Sequence, residues 1–131
     1  MPALVWALLI AFLCGMPGTS VPHVSWLEFL SFDKFVHASL FFVLTTLSYK
    51  GIYTKYNVEY LSTEPVYFCA LLMSIAYGGV LELLQSTIFV ARSADIYDFF
   101  ANSIGAVAAS IYFNKVSDYT SKIMLSLVKK E

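Results

Sequence analysis

Charge is what this sequence has least of: Asp, Glu, Lys and Arg make up 13% of its 131 residues, against roughly 25% in soluble domains. That deficit excludes an ordinary soluble globule. With a formal net charge of -1 and no long basic run, the chain also lacks the electrostatic footprint of a nucleic-acid binder. Cysteine is nearly absent. Cys14 and Cys69 each lie alone in an apolar run, where such residues behave as small hydrophobes rather than as a disulfide or metal pair. No internal repeat or low-complexity stretch is present. A cleavable leader is missing too: the first apolar run has no basic n-region, no small-residue cleavage site and Leu13 ahead of Cys14, so it reads as an uncleaved anchor.

What is abundant is apolar surface. At 59% hydrophobic residues and a mean hydropathy of +0.72, the chain reads as an integral membrane protein. Its length leaves room for about four spans of ~20 residues and none for a separate soluble domain. The expected architecture is all-α: a bundle of four transmembrane helices in one domain over residues 1–114, followed by a basic tail over 115–131.

Span one is expected from Ala3 to Met16, stopped by Pro17 and Gly18; at 1.5 Å per residue it covers only ~21 Å of a ~30 Å core. Residues Ser20 to Phe32, which include His23 and Trp26, read as a loop at the membrane surface, with Trp26 at headgroup level and His23 solvated. Span two is expected from Asp33 to Tyr49, with Asp33 and His37 one helical turn apart on one face. Lys50 to Glu64 reads as a loop, around which Tyr49, Tyr53, Tyr56 and Tyr60 form an interfacial belt. Pro65 suits the first turn of span three, expected from Val66 to Val90. Span four is expected from Ala94 to Phe113. From Asn114 onward, lysines alternate with apolar residues at helical spacing, as in a basic amphipathic helix on the membrane or a solvated frayed end.

Polar residues recur within these spans. Ser74, Gly78, Glu82 and Gln85 form one stripe on span three, and Asp95, Asp98, Asn102, Gly105 and Ala109 form another on span four; such stripes must face other helices. Ala101, Gly105 and Ala109 add small-xxx-small spacing for close backbone approach. Phe99 and Phe100 are expected toward lipid or between helices. Lysines concentrate in the tail and in the Lys50 to Glu64 loop, so the positive-inside rule puts both termini in the cytoplasm. Asp33, Lys34, His37, Glu82, Gln85, Arg92, Asp95, Asp98 and Asn102 then share one depth near the extracytoplasmic face. Four acids there meet two fixed bases, Lys34 and Arg92. The surplus demands a proton, a cation or water, because burial and like-charge neighbours disfavour ionised carboxyls.

Asp33-Lys34-x-x-His37, then Glu82-x-x-Gln85, then Arg92-x-x-Asp95-x-x-Asp98-x-x-x-Asn102-x-x-Gly105 resembles the VanZ-like family, over about residues 2 to 113. The resemblance implies a small multi-span protein of the bacterial cytoplasmic membrane, with relatives linked to low-level resistance to the glycopeptide teicoplanin. It supplies no reaction. Many relatives extend further before the first span, so the short start departs from the pattern and points to an initiator upstream of Met1.

Three roles fit these residues. The first is an outward-facing site for a membrane lipid, an envelope lipid or glycolipid headgroup, or a glycopeptide-type ligand, with Lys34 and Arg92 on phosphate or carboxylate and Gln85, Asn102 and an acid on hydroxyls and amides. The second is an enzyme acting on a lipid-linked substrate, with His37 or Glu82 as general base; no nucleophile motif surrounds Ser39, Ser86 or Ser93. The third is a structural network in which Arg92 pairs with Asp95 or Asp98 and Lys34 with Glu82. No cofactor is implied. A metal held by Asp33, His37, Glu82 and Asp98 is disfavoured, because one histidine among dispersed acids lacks metal-ligand spacing.

Overall fold

The computed structural model describes residues 2–15, 26–56, 65–87 and 95–128. They form four helices: α1 (Pro2–Gly15), α2 (Trp26–Tyr56), α3 (Pro65–Thr87) and α4 (Ile96–Val128), with no strand among the described residues. Three of them contain segments long and apolar enough to cross a membrane, at Phe32–Lys55, Pro65–Thr87 and Ile96–Lys115. α1 is apolar but has only 14 residues. Helix is the economical answer for such segments, because it satisfies every backbone N–H and C=O internally where no water can.

The ends of the helices differ from the sequence expectation in an instructive way. α2 starts at Trp26 and runs to Tyr56, so residues 26–32 are helical rather than loop, as are Lys50 through Tyr56. No proline or glycine lies between Pro22 and Gly51 to break the helix, and Gly51 alone costs only about 1 kcal/mol relative to Ala. α4 likewise passes through Asn114 unbroken to Val128, since no Gly or Pro follows Gly105. α3 ends at Thr87 rather than Val90. His23 and Arg92 lie outside the described residues.

α2 packs most extensively on α4, α3 packs on both, and α1 lies against α2 and α3. The α2–α4 seam is built from small residues. Ala101, Ala106 and Ala109 are buried, and a Cβ added to Gly105 would overlap the Ala38 backbone. α1 is tied in by polar contacts across the apolar interior: the Trp6 indole donates to the Leu40 carbonyl at 3.0 Å and the Tyr77 hydroxyl to the Ala7 carbonyl at 2.7 Å.

At one end of the bundle Tyr49 stacks edge-on against Tyr67 and Phe113, with ring centroids 5.1 and 5.5 Å apart. Tyr49 is 1% exposed, which corrects its placement in an interfacial belt: the late part of α2 is still packed between α3 and α4. Elsewhere the surface is greasy. Only 28% of each membrane-length segment is buried, and Leu8, Phe12, Met73, Leu83, Tyr97 and Ile104 point outward, as side chains facing lipid do.

Candidate functional site

The opposite end of the bundle is polar. The last turn of α1, the second quarter of α2, the end of α3 and the start of α4 meet there, which an up-down order of helices requires. Asp95 sets the start of α4: its side chain accepts the Tyr97 N–H at 2.9 Å and its carbonyl the N–H groups of Asp98 and Phe99. This is N-capping by an acid, favoured by the orphan donors of a first turn. The Asp95 N–H in turn donates to Glu82 Oε2 at 3.2 Å, which fastens α3 to the head of α4.

Lys34 rises from α2 into this corner. Its ammonium donates to Asp95 Oδ2 and Asp98 Oδ1, each at 3.0 Å, and lies 5.8 Å from the centre of the Tyr97 ring. This arrangement corrects the expected pairing of Lys34 with Glu82. Glu82 is held by a backbone N–H instead, while the lysine bridges the two aspartates of α4. Burial works against ionisation of Asp95, but the Tyr97 N–H and the Lys34 ammonium outweigh it and hold the carboxyl below its ordinary range.

Below Lys34 lies His37, 5% exposed. Its Nδ1 is 3.1 Å from Asn102 Oδ1; an amide oxygen only accepts, so Nδ1 carries the hydrogen. In the neutral ring Nε2 then carries the lone pair, and it faces two carboxylates, Asp33 Oδ1 and Asp98 Oδ2, both at 3.9 Å. Gly78 makes room for Asn102: a Cβ at Gly78 would lie 3.2 Å from Asn102 Cβ and from Phe41. Gln85 is buried and donates to the Cys14 carbonyl at 3.3 Å, so it ties α3 to the end of α1.

Two tiers result. Asp33, Lys34 and Asp95 form a rim, their side chains 33%, 23% and 32% exposed. His37, Glu82, Asp98 and Asn102 form a buried floor. Two floor atoms, Glu82 Oε1 and Asn102 Nδ2, have no hydrogen-bond partner among the described residues. Asp33, His37 and Asp98 also offer three ligand atoms within 4.8 Å of one another, a grouping that linear spacing conceals. The sequence placed Asp95 inside span four and missed its capping role, although an acid just before an apolar helix is the signal for one; the Cys14 carbonyl as a partner of Gln85 leaves no signal, because any backbone carbonyl looks alike in sequence.

An open apolar groove of about 340 Å³ follows α4 past Phe100, Ile104, Val107 and Ile111. These residues lie on the face of α4 opposite Asp98 and Asn102, so the groove does not extend the polar site. Comparison with protein families, with curated proteins and with solved structures gives no match.

Proposed function

We propose that this chain is a VanZ-like integral membrane protein of the bacterial cell envelope, with both termini cytoplasmic, that binds the polar headgroup of an envelope lipid or a glycopeptide-type ligand at the polar end of its bundle. The observation that carries this reading is the two-tier arrangement. A network that only holds helices together has no need of three charged groups, each about a third exposed or less, above a buried acidic floor, and interhelical hydrogen bonds contribute only about 0.6–2 kcal/mol each in a membrane.

The charge at the rim favours one class of headgroup. Lys34 is shared between Asp95 and Asp98, so it is a weak anchor for a separate phosphate, and Asp33 and Asp95 add negative charge at the rim. The complementary headgroup carries amines, hydroxyls and amides, as amino sugars and peptides do. A contribution to teicoplanin-type resistance follows if the protein retains or screens such molecules at the membrane face.

The test is direct binding to purified protein in lipid nanodiscs, with a lipoglycopeptide and an amino-sugar lipid as probes. Asp33→Asn and Asp95→Asn are expected to weaken binding at least tenfold, about 1.4 kcal/mol, with helix content unchanged. Equal binding by both variants and the wild type would remove the reading. Release of a chemically altered probe by the wild type but not by His37→Ala would instead make the protein an enzyme with His37 as its base.

A further inference from the structure

We propose that Asp33, His37 and Asp98 bind a divalent first-row metal ion of the Zn2+ or Mn2+ type, through His37 Nε2 and one oxygen of each aspartate. This goes beyond the headgroup reading and does not depend on it.

The first argument is geometric. Nε2 lies 3.9 Å from Asp33 Oδ1 and from Asp98 Oδ2, beyond the ~2.7–3.2 Å of a hydrogen bond. Atoms that share an ion at ~2.0–2.2 Å stand ~3–4 Å apart. Asp33 and His37 come from successive turns of α2 and Asp98 from the first turn of α4, so the tightly packed α2–α4 seam fixes all three. The second argument is the tautomer. Asn102, 1% exposed, accepts the Nδ1 hydrogen and points Nε2, the lone-pair nitrogen of the neutral ring, toward the carboxylates, which is how an outer-shell partner orients a metal-bound histidine. Without a cation or proton between them, that lone pair and two anions only repel.

The third argument is independent of these distances. Glu82, 7% exposed, has an oxygen with no hydrogen-bond partner among the described residues, and its other oxygen accepts the Asp95 N–H at 3.2 Å, at the head of α4 three residues before Asp98. Glu82 and Asp98 are both buried carboxylates beside His37, and of the two it is Asp98 that takes the Lys34 ammonium. A divalent ion would offset these two buried acids, with Glu82 as a further ligand or as acceptor for a metal-bound water. Asp98 serves both neighbours: Oδ1 accepts from Lys34 at 3.0 Å and Oδ2 faces His37. One imidazole with carboxylate oxygens suits Zn2+ or Mn2+ better than a thiolate-seeking metal.

The experiment uses the full chain in detergent micelles, stripped with a chelator and titrated with Zn2+, Mn2+ or Mg2+ in the absence of any lipid probe. One Zn2+ or Mn2+ per chain is expected, with Mg2+ bound at least tenfold more weakly. Asp33→Asn and His37→Gln should each lower affinity at least tenfold, Asn102→Ala about 10–100-fold, while Ser103→Ala, on another face of α4, retains the ion. Pulsed electron paramagnetic resonance of bound Mn2+ should show one imidazole nitrogen, which keeps the test decisive if His37→Gln does not fold. Failure to retain either ion, equal retention by Asp33→Asn, or the lack of nitrogen coupling would overturn the proposal and assign the charge relief to an imidazolium.

Discussion

Lys34 stands 3.0 Å from a carboxylate of Asp95 and of Asp98, and its removal would leave both acids facing each other at the edge of the membrane. Lys34→Met is therefore expected to destabilise the protein by about 1–3 kcal/mol, below the 3–5 kcal/mol of a fully buried pair because the lysine is partly exposed. Denaturant unfolding in micelles measures this; an unchanged midpoint would mean that solvent screens the bridge. That Lys34, Asp95 and Asp98 share a corner was legible from their shared depth. Which acid takes the lysine was not, because Glu82 lies at the same depth and only the capping of α4 by Asp95 decides that the α3 carboxylate receives a backbone N–H. In the same way His37 and Asp33 read as neighbours from their spacing, but the addition of Asp98 required the α2–α4 seam.

Among the helices, α2 and α4 carry the design. Their contact at Gly105 and Ala38 admits no side chain, and the small residues Ala101, Ala106 and Ala109 continue it. Gly105→Ala must push the two backbones apart, an overpacking change that costs about 1–3 kcal/mol, and it should also loosen His37 from Asn102. The check is a lowered unfolding midpoint together with faster hydrogen exchange in α2 around Ala38; an unaltered midpoint would show that the seam relaxes freely. The existence and order of the helices were legible in the sequence, since polarity stripes and apolar runs mark spans strongly. Their ends were not. Gly51 and Asn114 resemble punctuation, yet a single helix-tolerated residue cannot stop a chain whose flanking turns stay hydrogen-bonded, and Tyr49 looked interfacial only because α2 was expected to end there.

At the scale of the whole molecule, three membrane-length segments and a short apolar α1 enclose a core that is greasy along its length and polar at one end. Such a distribution leaves the rim partly exposed and the floor buried, as costly groups near a membrane surface require. The account therefore predicts a sided protein whose polar end meets its ligand from outside the cell. Ser93→Cys, two residues before Asp95 in the sequence, tests this most directly when Cys69→Ser removes the exposed native thiol. A membrane-impermeant maleimide added to intact cells is expected to label Ser93→Cys, and a bound lipoglycopeptide or amino-sugar lipid to slow that labelling at least tenfold. Labelling only after the membrane is permeabilised, or at a rate that neither ligand alters, would contradict it.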